Sequence, residues 1–137
     1  MYVFKINGNP YAGIQVVELE QEISIVSGEE SGRTQSGSMF IDAIGTYYNY
    51  TVTFYADPSP AGQILMNTFL YDLMTPRSSL PGSPGMIVEF PHDNAYLSFG
   101  AYNTTAKRKM KIMKENGNVW EGYQIKFTAL EPQRRPL

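Results

Sequence analysis

Cysteine is absent from this 137-residue chain, so it has no disulfide and no thiolate metal site, and its redox compartment leaves no mark on it. Histidine occurs once, at His92, too few for a histidine-based metal centre. A Ser-His-Asp triad would have to use that one imidazole, and nothing in the sequence sets a serine against it. No apolar run approaches the roughly 18 residues that a membrane-spanning helix needs. The opening Met1-Tyr2-Val3-Phe4-Lys5-Ile6 has neither the charged stretch nor the long apolar core of a secretory signal, so the chain is expected to be made and kept without an address. Basic residues are scarce in the first half. Residues 1–68 hold seven acids and two bases, residues 69–137 six acids and nine bases, so a net charge of −2 hides halves of −5 and +3. Opposite poles on one subunit suit head-to-tail or ring assembly through complementary patches, although a solvated surface also tolerates such a distribution.

What is present points to β structure. Hydrophobic residues make up 42% and charged residues 18%, which fits one soluble globular domain spanning 1–137. Ten tyrosines against one tryptophan favour strands and protein interfaces. The clearest strand is residues 45–55. Tyr48, Tyr50, Val52 and Phe54 fall on one face, and Tyr47, Asn49, Thr51, Thr53 and Tyr55 on the other. Residues 121–130 repeat that parity, with Tyr123, Ile125, Phe127 and Ala129 on the buried side. These two strands are expected at the centre of one antiparallel core.

The remaining chain arranges itself around them. Residues 2–6 alternate and end at Asn7-Gly8, a tight-turn dipeptide. Residues 14–26 read as a strand carrying Glu18, Glu20 and Glu22 on one wet face. Ser59 and Pro60 suit the cap and first position of a helix over 61–74, with Leu65, Phe69, Leu70 and Leu73 as its apolar stripe, thickened by Ile64, Met66 and Met74. That stripe is expected to cover the open face of the sheet. Met86, Val88 and Phe90 alternate, residues 91–94 form a turn with His92 at the surface, and residues 95–102 return as a hairpin. Residues 131–137 are a polar tail that two prolines keep out of any sheet interior.

Two long loops and one basic run remain. Residues 27–38 and 75–85 are long and polar, a length that marks functional or partner-ordered segments. The first has glycines and an arginine but not the G-x-x-x-x-G-K-[ST] spacing of a phosphate cradle. Residues 107–114 hold five of the eleven basic residues, with Lys109 and Lys111 alternating with Met110 and Ile112. In an acidic chain without a base-stacking motif, this reads as a charged edge strand that discourages stray pairing or meets an acidic neighbour. Paired-carboxylate hydrolysis could draw only on scattered acids such as Glu18, Glu29, Asp93 or Glu121, which read as ordinary solvated groups. No enzyme activity, cofactor or metal is expected.

The order Gly28-Glu29-Glu30-Ser31-Gly32-Arg33, the strand Gly45-Thr46-Tyr47-Tyr48-Asn49-Tyr50-Thr51-Val52-Thr53-Phe54, and the closing Val119-Trp120-Glu121-Gly122-Tyr123-Gln124-Ile125-Lys126-Phe127-Thr128-Ala129-Leu130-Glu131-Pro132 resemble small structural proteins of tailed bacteriophages and prophages, encoded among tail and baseplate genes. The likeness spans nearly the whole chain and is weakest over 75–85. Phe4-Lys5-Ile6-Asn7-Gly8 also resembles the N-terminal portion of distal tail proteins. The resemblance implies an antiparallel β-sandwich or split barrel with one flanking helix, like tail-tube proteins. It implies a ring subunit, hexameric in those families, in the tail tube or at the tube–baseplate junction. Its partners would be copies of itself and neighbouring tail or baseplate proteins, with DNA passing through the ring but no specific nucleic-acid binding and no membrane. Its place would be the virion, after assembly in the bacterial cytoplasm. Candidate subunit contacts are Glu29, Glu30, Arg33 and Arg77 from the loops. Lys107, Arg108, Lys109, Lys111 and Lys114 join them from the basic run, which should face a neighbour or the outside rather than the lumen. The alternative is a small glycan- or ligand-binding sandwich using exposed tyrosines such as Tyr96 and Tyr102.

Overall fold

A computed structural model describes residues 3–27, 32–33, 37, 39–40, 43–80, 85–114 and 117–135. Strict side-chain alternation becomes strand. β5 (Ala43–Tyr55) buries Tyr48, Tyr50, Val52 and Phe54, and β8 (Gly117–Ala129) buries Tyr123, Ile125, Phe127 and Ala129. The two pair antiparallel, with Tyr50 opposite Phe127 and Phe54 opposite Tyr123. The strands most legible in the sequence are thus direct neighbours at the centre of the fold.

Around them the described strands form one six-stranded antiparallel sheet in the order β1-β6-β7-β8-β5-β2. β2 (Gln15–Ser27) lies on the far side of β5. β7 (Ala95–Lys114) is the longest strand and serves two partners: residues 95–100 pair with β6 (Ile87–His92), and residues 101–114 pair with β8. β1 (Lys5–Ile6) completes the β6 side. The sheet folds over along β7. Phe90 of β6 and Tyr50 of β5 are three strands apart in the order, yet their rings stack with centroids 4.7 Å apart. Two layers result, β1-β6-β7 and β7-β8-β5-β2, facing each other as a β-sandwich that is not closed into a barrel. Within the long polar loop expected over 27–38, β3 (Gly32–Arg33) pairs with β4 (Met39–Phe40) just beyond it as a short ribbon.

The three-stranded layer covers only part of its partner, and the helix covers the rest. α1 (Pro60–Leu73) starts as its sequence dictates: Ser59 Oγ accepts from the Gly62 N–H at 3.1 Å and Pro60 needs no donor. Met66, Phe69, Leu70 and Leu73 are buried, with the Phe69 ring edge-on to Phe54 at 5.1 Å. Two residues of the expected stripe are not part of it. Ile64 and Leu65 stay exposed, because at about 100° per residue they sit well off the Met66–Leu73 line. Gln63, three residues before Met66, takes the buried position instead.

Other boundaries move in understandable ways. Residues 95–102 and the basic run 107–114, which read as separate segments, are one twenty-residue strand carried past its irregular pairing by bulges. The Asn7-Gly8 turn is present, with φ of 51° and 82° and reciprocal backbone bonds of 3.0 Å between Ile6 and Asn9. The tail does not hang free. Gln133 bonds to Tyr48 through both side-chain atoms (Tyr48 N–H to Oε1 3.0 Å, Nε2 to Tyr48 O 2.9 Å), and Thr46 donates to Arg134 O at 2.8 Å. Gln133 thereby stands in for the strand that β5 lacks above its pairing with β8.

Gly45 makes that docking possible. Its φ is +153°, and a Cβ there would lie 2.6 Å from Arg134 O and 2.6 Å from Pro132 Cβ. Gly45→Ala is expected to cost about 1–3 kcal/mol from strain and collision. It should also raise amide exchange at Thr46 and Tyr48, read by hydrogen exchange. An unchanged exchange pattern would show that the tail tolerates the extra methyl.

Candidate subunit interface

The four-stranded layer has its inner face covered by Phe90, Phe99 and α1, while the outward side chains Glu18, Glu20, Glu22, Lys107 and Lys109 are exposed and Asn49, Thr51, Thr53, Gln124 and Lys126 are half-exposed. Two bulges decide what that face carries. In β2 the pairing shifts between Val16 and Glu18, so Val16 and Leu19 both face inward while Glu18, Glu20 and Glu22 face outward, opposite Thr53, Thr51 and Asn49. In β8 the register shifts around Gly122, whose φ is +65°, and this turns Trp120 toward the helix and leaves Glu121 exposed. Across β7 the same face shows Lys107 opposite Gln124 and Lys109 opposite Glu121.

One row therefore crosses all four strands: Glu18, Thr53, Gln124, Lys107. The β2 edge is acidic and the β7 edge basic, with threonines and amides between them and Lys126 opposite Thr51. The polarity seen in the sequence halves is thus a polarity across one sheet. Both edge strands are long, and neither β2 nor residues 104–114 of β7 has a further strand beside it among the described residues. Exposed edges of this length invite pairing with another chain.

The sequence-derived candidates separate on this frame. Lys107, Lys109 and Lys111 lie exposed along the β7 edge, and Lys111 also reaches Glu121 at 3.9 Å. Lys114 ends β7, and Arg33 lies in β3. Glu29 and Glu30 lie outside the described residues. Arg77 is exposed beyond the helix, near Asp72 (3.8 Å) and donating to its carbonyl at 3.2 Å. Arg108 differs from the lysines around it. It turns inward, with its guanidinium 4.2 Å over the Trp120 ring and Nη1 donating to Asn67 Oδ1 at 2.6 Å. Asn67 also accepts from the Tyr123 hydroxyl. Arg108 holds the helix to the sheet.

His92 is not the surface turn residue expected. It is the last residue of β6, half-buried, and the turn is Asp93-Asn94, with Asp93 at φ 53°. Gln21 Nε2 donates to its Nδ1 at 2.9 Å and to the Tyr50 hydroxyl at 2.7 Å, and Tyr50 donates to Pro91 O at 3.1 Å. This network ties β2, β5 and β6 together where the sandwich is open. No residue periodicity marks it, since Gln21 and His92 are 71 positions apart.

Burial raises the pKa of the Tyr50 phenol, and burial likewise raises that of Tyr123 against the opposing pull of Arg108. A raised phenol keeps its proton in the folded state after the unfolded chain, near pH 10, has begun to lose it. That stability is complete below pH 10 and is lost as pH rises through the folded values. Joint absorbance and circular dichroism titration should find some of the ten tyrosines ionising late and together with unfolding. Smooth ionisation of all ten near pH 10 with the fold intact would contradict this.

A cavity of about 490 Å³ is lined by Leu80, Leu97, Phe99 and Leu130 with Glu131 at its border. No group of three or more His, Asp or Glu that could hold a metal occurs among the described residues. Tyr96 and Tyr102 are both exposed, six residues apart on β7. No protein-family model, no curated protein and no solved structure matches this chain.

Proposed function

We propose that the chain is a structural subunit of a bacteriophage tail, repeated head to tail as a ring, hexameric by resemblance, in the tail tube or at the tube–baseplate junction. The observation that carries this reading is the four-stranded layer with one acidic and one basic edge. A heterologous contact between unlike edges generates a ring when the rotation closes. Four strands alternating in direction let the next copy follow by simple rotation, because β2 runs opposite to residues 101–114 of β7. Unlike edges attract while two acidic or two basic edges repel, so the pattern selects head-to-tail contact over self-pairing of either edge. The protein then works by shape and repetition, with neighbouring tail or baseplate proteins as its other partners and no catalytic step. The basic edge faces a neighbouring copy rather than a DNA-lined lumen.

Sedimentation of the purified chain should give a discrete oligomer at low salt that dissociates as ionic strength rises beyond a few tenths molar, where the Debye length falls to a few ångströms. Electron microscopy should show annular particles. A monomer at every concentration and salt would end this reading.

A further inference from the structure

Resting on that reading, we infer the register of the contact: copies join edge to edge, β2 beside residues 104–114 of the next β7, staggered by four residues. Glu22, Glu20 and Glu18 of one copy then stand opposite Lys107, Lys109 and Lys111 of the other. The inference starts from the row Glu18, Thr53, Gln124, Lys107. Extending that row straight into a second copy would set Glu18 against Lys107 alone. Glu20 and Glu22 would then lie beside the stretch from Tyr102 to Thr105, which has no base, and Lys109 and Lys111 would lie below the acids. A four-residue slip in one direction, about 13 Å along the strand, matches three acids with three lysines. The same slip in the other direction matches none.

A second argument reaches the same number without using charge. Closed sheets tilt their strands by about 35–45°, and one residue of shear per strand gives about 36°. At the lower end of that range a copy that contributes four strands slips by four residues at each junction for the layer to close. The side chains agree in direction as well. Glu18, Glu20 and Glu22 face outward on β2, and Lys107 and Lys109 face outward on β7 because Arg108 between them points to the helix. Acids and bases thus meet on one face of the joined sheet. Lys111 sits at a bulge and shares its charge with Glu121, so the Glu20–Lys109 and Glu22–Lys107 pairs define the register.

Because the chain has no cysteine, engineered pairs report register without background. In the full chain, Glu20→Cys with Lys109→Cys should oxidise to covalent multimers. Glu18→Cys with Lys107→Cys, which tests the unslipped register, should stay monomeric on a non-reducing gel, since a disulfide needs Cα atoms roughly 4.4–6.8 Å apart. Glu20→Lys should weaken assembly roughly tenfold or more by sedimentation, and adding Lys109→Glu should restore it. All four positions are exposed, and melting curves check that each variant folds. Cross-linking of the unslipped pair, or of neither pair in a protein that still sediments as an oligomer, overturns the register and leaves the ring reading standing. Failure of the double charge swap to restore assembly also overturns it. A wild-type chain that never assembles overturns both.

Discussion

Phe90→Ala is expected to lower stability by about 4 kcal/mol, the upper range for removing a buried aromatic ring. Phe90 is fully buried on β6 and meets rings from four different segments. It stacks on Tyr50 at 4.7 Å and on Phe4 at 6.2 Å, lies edge-on to Phe127 at 5.0 Å, and is tilted against Phe99 at 6.3 Å. Those partners are anchored in both layers, so they cannot collapse into the void without moving a strand. The loss should appear as a fall of roughly 10–15 °C in the melting midpoint and a weaker near-ultraviolet aromatic signal. Phe90→Leu, which keeps much of the volume, should recover a large part of it. A loss under about 1 kcal/mol for the alanine variant would mean that the layers do not depend on this ring stack.

Gln63→Leu should cost about 2–4 kcal/mol, although it places a better hydrophobe at a buried helix position. Gln63 is the one polar residue in the described core. Its Nε2 donates to Asp57 O and to Trp120 O, each at 3.0 Å, and its Oε1 accepts from the Trp120 N–H at 2.9 Å. It thus supplies Trp120 with the backbone partner that a strand would have given. Leucine would leave a half-buried N–H and carbonyl without partners, at about 1–3 kcal/mol each. Trp120 is the only tryptophan, so its fluorescence should shift to the red as β8 loosens from the helix. Gln63→Glu should fall between, keeping an acceptor for the N–H but losing the donor. A leucine variant as stable as the parent would show that the helix is held by its apolar face alone.

Gln63 also shows where sequence reading stops. Helical spacing places it on the line of Met66, Phe69, Leu70 and Leu73, and a polar residue on that line is a visible signal. An apolarity count instead favours Ile64 and Leu65, which the helix leaves in solvent. His92 and Gln133 left no comparable trace. Each acts through one long-range hydrogen-bonding partner, and no periodicity encodes a partner 71 or 85 positions away. Arg108 shared its reading with Lys107 and Lys109 because charge runs look uniform in a string. Only the strand parity, set by bulges, separates the inward guanidinium from its outward neighbours.

The sequence by itself determined the two central strands, the single helix with its Ser59–Pro60 start, the mostly β class, and the separation of charge between the halves of the chain. Each of these follows from local periodicity, which a strand or helix turns directly into a buried and an exposed face. Tertiary structure alone decided that residues 95–114 are one strand shared by two layers, and that the separated charges become opposite edges of a single sheet. Those outcomes rest on pairing between residues far apart in the chain, where register and bulges, not composition, choose which side chains meet.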